Sequence, residues 1–262
     1  MELGIRGRRA VITGASGGIG RAIAGALAAE GVDVALIARS SDLLAQAATK
    51  ITDETGVRAI AIPADLRDIE AIQSAAKTAQ EQLGQIDILV NSAGAIPASS
   101  LESLSDEALH SAWSLKLSGY VRMSRALLPE MRTRGWGRIV NIIGLGGKNP
   151  SAGHMYGSAA NAALMNFTGA LALEVATEGV LVNAINPGMI KSERILEMAQ
   201  KWADDAGMPL EELMDKQTAA LPMHRMGTLE EVADVATFLC SERCTYVHGA
   251  IIPVAGAMGV TL

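Results

Sequence analysis

The stretch AVITGASGGIGRAIAGALA, Ala10 to Ala28, changes its pattern half-way along. It begins with a short apolar run with β-branched side chains, which is typical of a strand buried on both faces. From Gly18 onward, the apolar residues have the spacing of an amphipathic helix. A glycine-rich turn joins the two directly. The stretch therefore predicts the first strand–helix unit of an α/β fold.

The same alternation continues along the chain. Ala-rich stretches of helical period separate further apolar runs, among them DVALIAR (33–39), IDILVNSAG (86–94), GRIVNIIG (137–144) and VLVNAINPG (180–188). This pattern predicts a single Rossmann-type domain over residues 1–262, with a doubly wound, parallel, seven-stranded sheet. One irregular insertion near residues 193–226 interrupts the alternation. We interpret it as a lid on the substrate side.

Composition limits the possible partners. The chain has 262 residues, 49% of them hydrophobic, which is enough for a large core. Its net charge of -6 and the lack of runs of basic residues disfavour nucleic acid. The N-terminus lacks the apolar stretch of a signal peptide, and no segment reaches about 18 uninterrupted apolar residues. We therefore expect a soluble, cytoplasmic protein that binds small molecules and neither nucleic acid nor membranes.

The two cysteines, Cys240 and Cys244, lie four positions apart near a predicted helix end. Two small buried thiols are a better interpretation than a disulfide or half of a metal site. The sequence shows no cluster of histidines, cysteines and carboxylates elsewhere, so we expect no metal site.

The turn TGASGGIG, Thr13 to Gly20, has the spacing of a dinucleotide-binding turn. Gly14 permits the tight turn, Gly18 lets the backbone approach a pyrophosphate, and Gly20 lets the helix pack closely on the strand. Free amide groups at the helix start face the anion. The strand before the turn and the helix after it favour this interpretation over a purely structural turn.

Beyond this turn, several motifs resemble the short-chain dehydrogenase/reductase superfamily, and in particular its 3-oxoacyl carrier protein reductases. They are ADL (64–66), NSAG (91–94), GRIVNI (137–142), NPG (186–188) and the ending GAIIPVAGA (249–257). The resemblance covers nearly the whole chain. It implies that Asp65 and Leu66 meet the adenine, Asn91 and Gly94 the adenosine ribose side, and residues 187–192 the nicotinamide.

The second predicted strand ends in Arg39, Ser40 and Ser41. An acidic residue there would accept hydrogen bonds from a free 2'-hydroxyl group, whereas arginine favours a 2'-phosphate. We therefore expect NADP rather than NAD, and the alternative is a solvated surface arginine. The full set of expected cofactor-binding residues is Gly14, Ser16, Gly18, Ile19, Gly20, Arg39, Asp65, Leu66, Asn91, Ala93, Gly94, Pro187, Gly188, Ile190 and Ser192.

The catalytic positions depart from the family, which uses a serine, a tyrosine, a lysine and an asparagine. Alignment from GRIVNI places Gly144 at the serine, Gly157 at the tyrosine and Asn161 at the lysine. Alignment from FTGALALE (167–174) agrees. Tyr156 thus lies one residue before the family's tyrosine position, and on a helix a shift of one residue turns the side chain by about 100°. A loop insertion would instead bring Tyr156 into register.

Lys116 stands at the position of the family's asparagine. Asn161 stands at the lysine position, so the lysine and the asparagine of the family have exchanged places. This exchange keeps one ammonium and one amide group near the expected site. We take Tyr156, Lys116 and Asn161 as the candidate catalytic residues, and the alternative makes Lys116 a solvated or interface lysine. His154 and Ser158 lie nearby and are interpreted as capping or structural groups.

Two functions remain open. The first is an NADP(H)-dependent oxidoreductase that acts on a carbonyl or secondary alcohol through a non-standard active site. The second is a cofactor-binding, non-redox protein: a degenerate partner of an active relative, a sensor, or a lyase-type enzyme that reuses the pocket. The fold favours the first and the altered positions favour the second.

The predicted helices over residues 105–134 and 153–178 carry more apolar surface than one sheet face can cover. The resemblance implies that they form the interface of a homodimer. It also implies that the C-terminal segment 250–262 completes a homotetramer.

Overall fold

A computed structural model describes residues 2–94 and 100–259, and within them the chain forms seven strands and nine α-helices. The strands are β1 (Arg9–Thr13), β2 (Asp33–Ala38), β3 (Ala59–Pro63), β4 (Ile88–Asn91), β5 (Gly137–Ile142), β6 (Val180–Pro187) and β7 (Ile251–Val254). The helices are α1 (Gly18–Ala29), α2 (Ser41–Thr55), α3 (Ile69–Leu83), α4 (Asp106–Trp113), α5 (Gly119–Arg134), α6 (Met155–Glu174), α7 (Glu193–Ala206), α8 (Leu210–Ala219) and α9 (Leu229–Leu239). Residues 260–262 of the segment expected to complete a tetramer lie outside the described residues.

All pairs in the sheet are parallel, and the strand order is β3-β2-β1-β4-β5-β6-β7. The predicted Rossmann-type, doubly wound, seven-stranded sheet is therefore confirmed. The strand order reverses between β1 and β4, which is where folds of this kind bind ligands. The loops after β1, β4, β5 and β6 meet at the same carboxyl edge of the sheet.

The strands bury both faces, as their continuous apolar runs predict. Ile12 and Val34 belong to a core that α1, α2 and α9 cover. Val11 and Ala35, their neighbours along the strands, belong to a second core, covered by α3 and α5 on the other face. Because successive strand residues point to opposite faces, two short runs supply both cores.

One predicted helix differs in the structure. The stretch 105–134 forms α4 and α5 with a π-helical turn, Ser114–Ser118, between them. Such turns insert a residue into a helix and recur at functional sites. Lys116 lies at the centre of this turn.

The insertion near residues 193–226 contains α7 and α8. Helix α7 begins after Ser192, whose hydroxyl oxygen accepts a hydrogen bond from the Ile195 amide at 3.3 Å. A side-chain cap of this kind stabilises a helix start by about 1 kcal/mol. The insertion is thus a folded pair of helices after β6, and its role as a lid remains a prediction.

The amino edge of the sheet carries ion pairs and an aromatic contact. Asp87 lies 3.5 Å from Arg8 and 3.6 Å from Arg134. The Trp136 ring contacts the guanidinium groups of Arg8 and Arg138, whose Cζ atoms lie 3.7 and 4.4 Å from the ring centroid. These contacts join the chain segments that enter β1, β4 and β5, far from the carboxyl edge.

Cys240 and Cys244 are both free and buried, which confirms their interpretation as structural thiols. Burial raises the pKa of Cys240 to about 12, so this thiol stays protonated at neutral pH.

Across the described residues, no helix is both long and apolar enough to span a membrane.

Candidate active site

The glycine-rich turn leaves no room for side chains at two of its positions. Gly14 has φ +68°, and a Cβ atom placed on it would lie 2.8 Å from the Cα of Ala93. A Cβ atom on Gly20 would overlap the carbonyl oxygen of Gly14. Gly18 has φ +53° and nothing within 4 Å of its Cβ position, so its backbone is open to a ligand. Crowding on one side and open space on the other fit a phosphate-binding turn.

Helix α1 begins without the side-chain cap that α3, α4, α7 and α9 possess. Its N-cap residue, Gly17, provides no side-chain acceptor, and its first turn contains no acidic residue. By contrast, Asp68 caps α3, and Thr228 forms a capping box with Glu231 at the start of α9. The first amide groups of α1 therefore remain available to an anion. Within the same turn, Ser16 is half-buried, and Ile19 packs against the core.

Thr13 connects the ends of β1 and β4. Its hydroxyl oxygen accepts hydrogen bonds from the amides of Ser92 at 3.0 Å and Ala93 at 3.2 Å. Asn91 is fully buried, and its amide nitrogen donates to Asn141 at 3.0 Å and Ser124 at 3.3 Å. These bonds hold the Asn91 side chain within the sheet. Its side-chain oxygen is buried and has no hydrogen-bond partner among the described residues.

At the second strand, the structure places Arg39 on the surface directly after β2. Within residues 2–94 and 100–259, its side chain has no hydrogen bond or ion pair. Asp65 pairs with Arg67 at 2.9 Å, and the hydrogen bond from Arg67 is the main cause that lowers the pKa of Asp65. Leu66 is buried beside Gly119. Asp65 thus remains charged, and Arg39 is free to meet an anion.

The expected nicotinamide residues lie between β6 and α7. Pro187 is the last residue of β6, and the Gly188 amide donates to the carbonyl oxygen of Val254 at 3.0 Å. Ile190 is buried and forms an isolated bridge with Gly227. Ser192 caps α7 as a hydrogen-bond acceptor, and the structure shows no hydrogen bond donated by its hydroxyl group among the described residues.

Lys116 crosses the end of β4 and reaches the end of β5. A Cβ atom on Gly94, which has φ +152°, would lie 2.9 Å from the Cδ of Lys116, so the lysine stem needs glycine there. The ammonium nitrogen of Lys116 lies 2.6 Å from the carbonyl oxygen of Ile143. Desolvation, with a smaller contribution from Arg194, lowers the pKa of Lys116 to about 8.

Asn161 lies beside the next residue of the same segment. A Cβ atom on Gly144 would be 3.2 Å from the Asn161 amide nitrogen, and Gly144 itself donates through its main chain to Asn186 at 3.2 Å. Asn161 is buried, and its side-chain oxygen has no hydrogen-bond partner among the described residues. The structure therefore brings Lys116 and Asn161 to two consecutive residues, Ile143 and Gly144.

Tyr156 occupies a different position. It packs against the cluster of Ala112 and Ala160, and its carbonyl oxygen accepts a hydrogen bond from the Trp113 ring nitrogen at 3.1 Å. In the part of the chain that the structure describes, no hydrogen bond joins the Tyr156 hydroxyl to Lys116. The structure thus gives Tyr156 contacts with α4, and its role as proton donor remains a prediction.

Helix α7 brings two charged residues to the site that sequence reasoning missed. Glu193 lies 3.0 Å from Arg21 of α1 and 3.7 Å from the Cβ position of Gly17. Arg194 follows it, and its positive charge acts on Lys116 and on His154. Both residues lie in the irregular insertion, where the sequence has no periodic pattern or motif that could have identified them.

The family model described as short chain dehydrogenase matches residues 8–204. This chain belongs to the short-chain dehydrogenase family. Its relatives include a 3-oxoacyl-acyl-carrier-protein reductase of Aquifex aeolicus, 34% identical over 98% of this chain and 100% of the relative. Nodulation protein G of Azospirillum brasilense is 32% identical over 95% of this chain and 97% of the relative.

Solved structures show the same likeness. L-sorbose reductase from Gluconobacter frateurii, determined with NADPH and L-sorbose, is 36% identical, covers 100% of both chains and has a TM-score of 0.95. An actinorhodin polyketide ketoreductase, determined with NADPH, is 32% identical and has a TM-score of 0.92, over 97% of this chain and 98% of the other. This short-chain dehydrogenase thus shares its fold with these reductases. Its described residues contain no group of three or more His, Cys, Asp or Glu side chains placed to hold a metal ion.

Proposed function

We propose that this short-chain dehydrogenase is an NADP(H)-dependent oxidoreductase that acts on a carbonyl or secondary alcohol through a non-standard active site. The observation that carries the proposal is the placement of Lys116 and Asn161 beside two consecutive residues directly after β5. The ammonium nitrogen of Lys116 lies 2.6 Å from the carbonyl oxygen of Ile143, and the amide nitrogen of Asn161 lies 3.2 Å from the position that a Cβ atom would take on the next residue, Gly144. Both lie at the carboxyl edge of the sheet, as does the open glycine turn after β1.

The residues present fit a dinucleotide. The close approach of Gly14 to Ala93, the open Gly18 and the uncapped start of α1 suit a pyrophosphate. The exposed Arg39 suits a 2'-phosphate, and two similar reductases were determined with NADPH. When bound, NADPH supplies a hydride to the carbonyl carbon.

In this proposal, Lys116 transfers the proton at the substrate oxygen. With a pKa near 8, its ammonium donates a proton close to neutral pH more readily than an ordinary lysine. One N–H bond is held by the Ile143 carbonyl oxygen, which fixes the side chain and leaves other N–H bonds for a substrate. The positive charge also stabilises an oxyanion as it forms.

Asn161 orients the reacting oxygen in the same proposal. Its amide nitrogen beside Gly144 can donate to a carbonyl oxygen, and its own unpaired oxygen can accept from a hydroxyl group or from Lys116. Tyr156 is the second candidate proton donor, because it is the tyrosine next to the family's position. Its packing on α4 makes Lys116 the stronger candidate.

We also propose a single domain in which α7 and α8 act as a lid, and a cytoplasmic homotetramer or homodimer built through α5 and α6. Support for the lid comes from the ion pair between Glu193 and Arg21, which holds α7 against the glycine turn. Support for the assembly comes from Leu173 on α6, whose side chain is 82% exposed.

One observation favours the second candidate function, a cofactor-binding protein without redox activity. Gly144 and Gly157 have no functional side chain, and the Tyr156 ring lies among apolar groups of α4. A degenerate partner, a sensor or a lyase-type enzyme would need the cofactor pocket and no proton relay.

Separate measurements of cofactor binding and turnover distinguish the two functions. We expect NADPH fluorescence titration to show binding, and NADPH oxidation to occur with part of a panel of ketones and 3-oxoacyl thioesters. K116M should lose turnover by on the order of a hundredfold while it retains cofactor binding. Binding without oxidation of NADPH by any carbonyl would support the non-redox function. In that case, Gly144→Ser, Gly157→Tyr, Asn161→Lys and Lys116→Asn together test whether the family's pattern creates the reaction.

A further inference from the structure

One ion pair crosses the carboxyl edge of the sheet. A carboxylate oxygen of Glu193, the first residue of α7, accepts a hydrogen bond at 3.0 Å from the guanidinium group of Arg21, the fourth residue of α1. Helix α1 follows β1, and α7 follows β6. Strands β4 and β5 lie between β1 and β6 in the sheet. Because neighbouring strands are about 4.8 Å apart, the pair joins segments whose strands are about 14 Å apart.

The same pair lies beside the start of α1. The second carboxylate oxygen of Glu193 is 3.7 Å from the Cβ position of Gly17, the N-cap residue of this helix. Since the helix has no side-chain cap, its first amide groups are the expected site of the cofactor's pyrophosphate. Ser192, expected on the nicotinamide side of the cofactor, directly precedes Glu193. The pair therefore joins the two segments between which the cofactor is expected to lie.

This pair is also the polar tether of α7. Across residues 2–94 and 100–259, no other ion pair or side-chain hydrogen bond joins residues 193–206 to another helix or strand. In that part of the chain, no α7 side chain belongs to the two cores that cover the faces of the sheet. Segments with few apolar contacts to a core open at a low cost in free energy. The start of α7 can therefore separate from α1 when the ion pair breaks.

We propose that the ion pair between Glu193 and Arg21 is a strap across the cofactor site, which closes over the bound dinucleotide and opens whenever the cofactor enters or leaves. This inference rests on the cofactor site of the proposed function and adds how access to that site is controlled. The side chains of Glu193 and Arg21 are 73% and 41% exposed, so the pair is weak and opens readily. A strap of this strength slows cofactor exchange without preventing it.

The test measures the rate at which NADPH leaves the protein, followed as the loss of its bound fluorescence after rapid mixing with excess NADP. The variants are Glu193→Gln, Arg21→Gln and the double variant, which keeps the net charge of the parent. Two controls remove similar exposed groups elsewhere. Glu197→Gln removes a carboxylate one turn further along α7, and Lys50→Gln breaks an exposed ion pair within α2.

We expect all three variants to release NADPH faster than the parent, by about two- to fivefold in the double variant. Association should accelerate by a similar factor in the double variant, so its dissociation constant for NADPH should change less than about twofold. An increase of salt from about 0.05 to about 0.5 M should accelerate release more from the parent than from the double variant, because salt screens an exposed pair. Both controls should release NADPH at the parent's rate.

A simple effect of charge on the anionic cofactor predicts a different pattern. Without a strap, removal of a carboxylate would slow the release of an anion, and removal of a guanidinium group would accelerate it. Opposite changes in Glu193→Gln and Arg21→Gln would therefore overturn the inference. Release from the double variant at the parent's rate would also overturn it, and either result would leave the proposed function intact.

The proposed function can fail separately in the same experiment. A parent protein that binds no NADPH would overturn the proposed function, and the strap with it. Faster release from all three variants of a protein that reduces no carbonyl compound would support the strap and overturn only the proposed redox reaction.

Discussion

The ammonium nitrogen of Lys116 lies 2.6 Å from the carbonyl oxygen of Ile143, and its stem crosses the surface that Gly94 leaves open. Both contacts hold the lysine where water has limited access. Its pKa therefore falls from 10.5 to about 8. Below pH 8 the folded protein bears the full cost of burying the charge. Between pH 8 and 10.5 the folded protein has released a proton that the unfolded chain still holds, so this group makes stability rise with pH.

We expect the parent protein to gain stability relative to K116M as pH rises from 8 to 10.5, by at most about 3 kcal/mol. Because other groups titrate in the same range, the free energy of unfolding is compared between the two proteins at each pH. Urea unfolding of both proteins at pH 7.5 and 10 measures this difference. K201M removes an exposed ammonium group, so its free energy of unfolding relative to the parent should not change between pH 7.5 and 10. A parent-to-K116M difference that stays constant with pH would contradict the assigned burial.

Two glycines of α1 provide a matched pair of substitutions. A Cβ atom on Gly20 would overlap the Gly14 carbonyl oxygen, whereas Gly25 has nothing within 4 Å of its Cβ position. We expect Gly20→Ala to lower stability by about 1 to 3 kcal/mol and to weaken NADPH binding at least tenfold. Gly25→Ala should leave binding unchanged and stabilise the protein by up to about 1 kcal/mol. Thermal unfolding and fluorescence titration measure both effects, and equal behaviour of the two variants would refute the close packing at Gly20.

Arg39 should determine the choice between the two nicotinamide cofactors. We expect the parent to prefer NADPH to NADH, because an exposed guanidinium after β2 can pair with the 2'-phosphate. Arg39→Asp should reverse the preference and cost roughly 1.5 to 3 kcal/mol of NADPH binding. Lys50→Asp makes the same charge change on the exposed face of α2 and should have little effect. Calorimetry that found equal affinities of the parent for both cofactors would rule this role out.

Helix α6 should form a contact between subunits. Leu173 exposes 82% of its side chain, and the alanines before it allow close approach of another helix. We expect light scattering at micromolar concentration to give two or four chain masses, and Leu173→Glu to lower the mass. Leu43→Glu on α2, where the leucine is 49% exposed, should leave it unchanged. A parent mass of 27.2 kDa, that of one chain, would exclude the assembly.

The sheet and the glycine turn were predictable because their signals are local. A strand buried on both faces is a continuous apolar run, and the turn after β1 requires glycine at positions that can be read directly. Alignment of the sequence with the family's motifs also showed that Lys116 and Asn161 have exchanged positions. Only the structure shows that both residues reach the adjacent Ile143 and Gly144.

Other features depend on tertiary contacts and could not be read from the sequence. The π-helical turn at Ser114–Ser118 replaces a regular helix, and the Gly119 that follows it also occurs at the start of the regular helix α5. The amide of Asn91 serves the interior of the sheet because Asn141 and Ser124 approach it from segments distant in sequence. Arg194 lies in an insertion whose direction is set by packing, so its charge could not be assigned to the site.

The contacts at the amino edge of the sheet have a consequence for evolutionary change. Arg8, Asp87, Trp136 and Arg138 join the entrances of three strands at the end opposite to the candidate site. Substitutions at Gly157 or Asn161 leave these contacts intact. A lineage can therefore lose or replace its proton relay while the scaffold keeps its stability, and new chemistry can be explored on a protein that still folds.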